Sequence, residues 1–302
     1  MDPKHIILTL LLMLCPIGMA AQSTITRNKP KTTVTKPKPT AKPKAKPKAK
    51  PKPAPRRNST SHSGSTSSTV SLSAELNKLI NNMVYVSGGT FTMGATSEQG
   101  SDAESDEKPT HNVTLSSYYI CKYEVTQALW RAVMGSNPSE FKGDNLPVEC
   151  VSWNDCQSFI NRLNSYTGRK FRLPTEAEWE FAARGGNYSR HYKYSGSNDL
   201  GDVAWYTDNS DSRTHPVGTK QANELDLYDM SGNVYEWCSD GYGSYSSYSQ
   251  NDPTGPNSGS RRVPRGGSWR SNARYCRSSC RDNYAPGDRG YYLGLRLVLS
   301  HL

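Results

Sequence analysis

This chain has no Cys-x-x-Cys element, no cluster of histidines and, past Leu14, no long apolar run. The first two absences speak against a structural zinc centre, which needs grouped thiolates and imidazoles; His5, His62, His111, His191, His215 and His301 are scattered. The third leaves no second segment able to span a bilayer as a helix. Residues 27–57 hold no acidic residue against 13 Lys or Arg. That stretch accounts for the net charge of +10, and residues 58–302 carry −3. The folded part therefore has no electrostatic reason to seek nucleic acid.

What is present divides the chain. Residues 1–21 read as a signal peptide: Lys4 and His5 precede an apolar run from Ile6 to Leu14, and the small residues Gly18, Ala20 and Ala21 follow. The mature chain is then expected to be extracytoplasmic, either secreted, periplasmic or at the cell surface. Cys15 raises lipidation, although Leu14 is bulky where a small residue is expected. Residues 22–72 are a linker rich in Lys, Pro and then Ser. Its eight prolines within 27–57 prevent helix and sheet and favour a stiff polyproline-II tether, free in solvent or lying along an anionic cell envelope. Residues 73–82 are a short helix or further linker, with Ser73 as cap. Residues 83–302 form the globular domain.

Within that domain, alternating apolar residues around Gly88-Gly89 predict a β-hairpin over 83–94. An acidic, structureless loop over 98–107 and a strand over 113–123 follow. Helices are predicted over 126–134, 155–166 and 175–184, the last with Thr175 and Glu178 as a capping box. Long Gly, Ser, Asn, Asp and Tyr-rich loops come next, and such loops need staples. Six cysteines remain after signal removal, allowing 15 disulfide pairings that sequence does not separate.

An ordered set of motifs carries a resemblance. They include Gly89-x-Phe91-x-Met93-Gly94, Tyr123-Glu-Val-Thr126, Val151-Ser-Trp-Asn-Asp155 and Arg172-Leu-Pro-Thr-Glu-Ala-Glu-Trp-Glu180. Arg184-Gly-Gly186, Leu227-Tyr-Asp-Met-Ser-Gly-Asn-Val-Tyr-Glu-Trp237, Arg265-Gly-Gly-Ser-Trp269 and Leu293-Gly-Leu-Arg296 complete it. The region resembles the formylglycine-generating enzyme, or sulfatase-modifying factor, family. The resemblance implies an α+β fold of C-type-lectin-like kind, with little regular secondary structure and long loops. It implies either a copper-dependent oxidase of protein cysteine or a non-catalytic relative. For an oxidase, Ser268 matches the active-site serine and Cys276 the second catalytic cysteine, while Ser271 stands where the first should be. Tyr292 also replaces the family's asparagine before the Leu-Gly-Phe-Arg segment. Cu(I) prefers two thiolates, which an alcohol does not replace. The resemblance further implies a structural calcium site at Asp229, Met230, Gly232, Val234 and Glu236, with Glu124 nearby; hard cations favour this mixture of carboxylates and main-chain carbonyls.

The C-terminal segment supports a different use. Between positions the fold needs stand Arg270, Ser271, Asn272, Tyr275, Cys280, Asp282, Asn283, Tyr284, Asp288, Gly290, Tyr291 and Tyr292. Starting from the asparagine codon AAC, changing adenines alone reaches every one of these residues. Lys, Glu, Gln, Met and Trp are unreachable by that route and absent at all 12. Those five make up about a fifth of ordinary usage, so their chance absence is about one in fifteen. The pattern resembles retroelement-diversified variable proteins on this fold. Tyr, Ser, Asn and Arg are also paratope chemistry. The leading expectation is a ligand-binding protein, with a protein or glycan partner. The alternatives are the oxidase and a structural component of an envelope complex. The Tyr-rich loop over 242–248 either borders the same face or is a solvent loop.

Overall fold

The computed structural model describes residues 66–256 and 259–300; the expected signal segment and Lys/Pro tether lie outside them. Among the described residues no helix is long and apolar enough to cross a membrane. The first helix, α1, spans Thr66–Asn81 and so begins before the expected Ser73 cap. The strands β1 (Met83–Val86) and β2 (Gly89–Met93) follow, then β3 (His111–Leu115) and β4 (Tyr118–Cys121). Next come α2 (Gln127–Met134), α3 (Trp153–Thr167), β5 (Phe171–Arg172), α4 (Glu176–Ala183) and α5 (Leu200–Val203). The last strands are β6 (Tyr235–Gly241), β7 (Gln250–Asn251), β8 (Arg262–Arg265), β9 (Leu293–Gly294) and β10 (Val298–Leu299).

Three small sheets result, with strand orders β1-β4-β10-β5, β2-β3-β7 and β8-β6-β9. The predicted hairpin over 83–94 is not one: β1 pairs antiparallel with β4, and β2 with β3. The single strand predicted over 113–123 is likewise two. Both chain segments cross between sheets side by side, where the Gly88 amide donates to Ser117 Oγ at 3.0 Å. The second crossing is pinned by Asp252, whose carboxylate accepts from Ser116 N and Oγ at 2.7 Å each. Period-2 alternation identifies a strand's faces but not its partner, which explains both misassignments.

The helices follow their local signals. Thr126 caps α2 through its side chain, and Thr175 with Glu178 forms the expected box on α4. Helix α3 starts at Trp153 because Ser152 and Asp155 form a further capping box. Asp155 is thus the third helical residue rather than the first. Trp130 of α2 stacks on Phe159 of α3, with centroids 4.7 Å apart, above a buried group that includes Trp237, Leu293, Leu295 and Leu297. A second core joins α4 to Val113, Tyr118, Ile120 and Val298.

The loops are held by buried arginines rather than disulfides. All six cysteines among the described residues, Cys121, Cys150, Cys156, Cys238, Cys276 and Cys280, are unpaired. In their place runs a chain of alternating charge: Arg281–Glu176–Arg265–Glu180–Arg184–Glu98, each contact between 2.5 and 3.0 Å. Arg277 separately pairs with Glu107 at 2.5 Å, and Arg296 with Glu236 at 2.6 Å. Alternation leaves each buried charge compensated, the condition under which buried ions are tolerated. The acidic loop over 98–107 is therefore ordered, in two 3-10 turns at Ser97–Asp102 and Ser105–Glu107, by its partners from the arginine-rich segment.

Candidate functional site

The C-terminal segment leaves β8 at Arg265 and turns sharply at Gly266 and Gly267. Gly267 has φ of 74°, and a Cβ there would lie 2.7 Å from Cys276 Sγ and 2.9 Å from the Tyr275 carbonyl oxygen. The glycine thus allows the strand end to lie against the 3-10 turn Ala273–Cys276. The arginines then fix the rest. Arg265 donates to the Ser278 and Ser279 carbonyls at 2.9 and 3.2 Å, Arg277 Nε to the Arg274 carbonyl at 2.7 Å, and Arg281 to those of Asp106 and Gly243 at 3.0 and 2.9 Å. These framework side chains point inward.

The residues between them surround a cavity of about 460 Å³, lined by Glu104, Asp106, Tyr235, Ser268, Arg270, Ser271, Asn272, Tyr275, Arg281, Asp282, Asn283, Tyr284 and Tyr292. Eight of the 12 intervening positions lie here: Arg270, Ser271, Asn272, Tyr275, Asp282, Asn283, Tyr284 and Tyr292. The other four do not. Cys280 and Gly290 are buried, and Asp288 is exposed outside the cavity. Tyr291 stands on the rim, exposed, with its hydroxyl accepting from Arg270 at 2.9 Å. Cys280 and Gly290 are buried and line no part of the cavity, so they are corrected from ligand-contacting to packing positions.

Sequence reasoning missed Glu104, Asp106, Tyr235 and Arg281. A signal existed for the first two: five acids over 98–107 face five arginines over 265–281, and opposite charge runs of equal size invite pairing. The Tyr242–Tyr248 stretch also meets this wall. Tyr242 donates its hydroxyl to Asp106 at 2.9 Å, and the rings of Tyr242 and Tyr245 lie 4.8 and 4.0 Å from the Arg281 guanidinium. Beyond Arg281 is a second cavity of about 610 Å³, bordered by Gly243–Ser246, Glu176, His111 and Asp240.

Burial raises the carboxyl of one acid on each side of this wall. The Asp282 carboxyl is raised by burial, against the pull of the Asn283 amide and the tyrosine hydroxyls of Tyr284 and Tyr235. In the second cavity Asp240 is pushed up to about 7, first by burial and then by the Glu176 charge. A carboxyl raised in the folded state stabilises below its unfolded pKa and loses that advantage as pH climbs through the folded one. Wild type is therefore expected to lose stability relative to Asp240→Asn as pH rises from about 4 to about 7, with no further divergence above. Chemical denaturation of both proteins across that window checks it.

The residues matched to catalysis are arranged differently. Ser268 is fully buried, and its amide and hydroxyl lie 3.0 and 3.1 Å from Ser271 Oγ. Cys276 is buried among Tyr194, Leu200, Val203 and Ala204 and does not line the cavity. Burial, followed by the neighbouring Cys280, raises the Cys276 thiol well above its ordinary range. Burial also pushes Cys280 up to about 12. Neither is poised as a thiolate.

The residues matched to calcium lie in one place, but they do not act alike. Among the described residues no group of three or more His, Cys, Asp or Glu side chains is set to hold a metal ion. Glu236 is committed, accepting from Arg296 and from Trp179 Nε1 at 2.7 Å. Glu124 accepts from Asn233 at 2.7 Å and the Val234 amide at 3.1 Å. Asp229 accepts from the Gly218 amide at 2.7 Å through one oxygen, while the other is buried without a hydrogen-bond partner. Burial raises both carboxyls, Asp229 to about 6, and each of the remaining acids adds to the effect on Glu124. The donor set fits a cation at Asp229 and Glu124 and does not fit one bound through Glu236.

Residues 69–301 match the family described as sulfatase-modifying factor enzyme 1-like domain. The chain belongs to that family. The formylglycine-generating enzyme of Streptomyces coelicolor is 34% identical, over 57% of this chain and 58% of that protein. Chaperone protein LppX of Paenibacillus barcinonensis is 36% identical over 73% of this chain and 90% of its own length. The solved structure of Treponema denticola variable protein 1 superposes with a TM-score of 0.66 at 36% identity, covering 72% of this chain and 95% of that one. The sulfatase-modifying-factor fold expected from sequence is thereby established. The domain as a whole is thus similar to a protein described as variable.

Proposed function

We propose that this protein is a secreted or envelope-associated binding protein that takes a protein or glycan ligand, without catalysis, in the cavity of the C-terminal segment. The observation that carries this reading is the convergence of eight of the 12 intervening positions on a single cavity. Those positions were chosen from sequence as the ones standing between residues the fold needs, and every residue at them is reachable from one asparagine codon. The similarity to a variable protein of Treponema denticola supports the same use. The Lys/Pro tether would hold the domain away from its anchor, and could contact an anionic envelope.

The oxidase alternative needs two exposed sulfur ligands, whereas Ser271 supplies an alcohol and Cys276 is sealed in the core. Titration of reduced protein with Cu(I) in the presence of a competing chelator is expected to give no tight 1:1 site. Cys276→Ala is expected to leave partner cross-linking unchanged. Tight copper binding abolished by that substitution would favour the oxidase.

Calcium is proposed as a structural brace held by Asp229 and Glu124, with main-chain carbonyls at Met230, Gly232 and Val234. Glu236 would act on the site only through its ion pair with Arg296. When bound, the ion would supply positive charge to a loop whose acids otherwise repel. Calcium should raise the melting temperature over a chelator-treated sample, and Asp229→Asn should remove that rise. Equal melting with and without calcium would refute the brace.

A further inference from the structure

We infer that the cavity selects a basic side chain, a lysine ammonium or arginine guanidinium presented by a protein partner; this deepens the binding function proposed above and rests on it. Three carboxylates line the cavity: Glu104, Asp106 and Asp282. Two arginines also line it, but they do not balance these acids equally. Arg281 is spent on Glu176, to which it donates twice at 2.7 Å, and on two main-chain carbonyls. Arg270 is exposed.

The walls suit a cation as well. Tyr235, Tyr284 and Tyr292 form a triangle with ring centroids 6.1 to 6.4 Å apart and interplanar angles of 51 to 72°. Aromatic faces carry negative charge density and attract a cation within about 6 Å of the centroid. This chain already uses the arrangement at the rim. The Arg270 guanidinium lies 5.4 and 5.1 Å from the ring centroids of Tyr291 and Tyr292. Asp282, two residues before Tyr284, lines the same cavity and brings a carboxyl group to it. Glu104 adds a part-exposed carboxylate, which the exposed Arg274 guanidinium meets at 3.2 Å from outside the cavity lining. An anionic ligand would meet three carboxylates in a domain of net charge −3, whereas a cation is drawn to both. A neutral sugar could stack on the rings but would leave the carboxylate charge uncompensated.

The test uses the full chain and two probes, N-acetyl-lysine methylamide and its uncharged counterpart N-acetyl-norleucine methylamide, titrated by calorimetry at low salt. The lysine probe is expected to bind at least about ten-fold tighter, with the margin shrinking as salt screens the charges. Asp282→Asn should reduce that margin to about two-fold, and Glu104→Gln, at a more exposed carboxylate, should narrow it while sparing the fold. Equal affinity for the two probes, no binding of either, or a margin unchanged in both variants overturns the inference. If instead chitotriose binds and Tyr292→Ala abolishes that binding, the cationic ligand class falls and the binding function stands. The binding function itself falls if replacing the cavity positions leaves the cross-linked partner unchanged.

Discussion

Arg265→Ala is expected to cost about 3–5 kcal/mol, the range for breaking a buried ion pair by removing one partner. The side chain is fully buried, and it bridges Glu176 at 3.0 Å and Glu180 at 2.5 Å. Its loss leaves two carboxylates facing each other in the core and frees the Ser278 and Ser279 carbonyls it also holds. For a domain of this size each kcal/mol shifts melting by about 2–4 °C, so a fall of about 6–20 °C is expected. Arg265→Lys should recover only part of it, because an ammonium cannot reproduce the planar fork that reaches both acids and both carbonyls. Thermal melts of the three proteins decide the matter. A change under about 2 °C in Arg265→Ala would mean that the alternating charges do not hold the loops together.

The second large effect is on binding and not on stability. Arg270→Ser, Asn272→Tyr, Tyr275→Ser and Asn283→Ser combined should leave the melting temperature within about 3 °C, since exposed positions usually contribute within about 0.5 kcal/mol. Arg270 and Asn272 are exposed, and Tyr275 and Asn283 only half-buried. No buried ion pair uses any of them. The same four changes should weaken partner binding more than about 100-fold, because Tyr and Arg anchors at an interface each carry about 2 kcal/mol or more. Chemical cross-linking in the native host, with the captured proteins identified by mass spectrometry, reads the outcome. Loss of the wild-type partner at unchanged melting temperature is expected. An unchanged partner would remove the cavity from the binding function.

The contrast between these variants is the organising feature of the domain. Arg265, Arg277 and Arg281 belong to the framework and spend their charges inward, on Glu176, Glu180 and Glu107. Arg270, one of the intervening positions, spends its charge on tyrosine faces at the rim. Arginines in one short segment therefore have opposite roles, and substitution tolerance follows the role rather than the residue type.

Much of this was legible before any coordinates. The caps of α2 and α4 follow from Thr126, Thr175 and Glu178, because a cap is a local hydrogen bond between near neighbours. The positions between the family motifs located most of the cavity because framework residues such as Arg265 and Arg277 turn inward and leave the intervening side chains to line it. The failures are long-range. Nothing local tells β1 to pair with β4 instead of β2. The acidic loop looked structureless because its partners lie some 170 residues away, as in the Glu107–Arg277 pair. Cys280 passed the codon test yet faces the core, since reachability says nothing about burial.

The most direct test of the account is the DNA flanking this gene. It predicts a near-copy of codons 265–299 beside a reverse-transcriptase gene, with adenines at the 12 positions and matching codons at Arg265, Arg277 and Arg281. Finding that copy would make Ser271 one sampled outcome on a variable binding face. Its absence, with no second template elsewhere in the genome, would contradict diversification and return Ser271 to the standing of a replaced copper ligand.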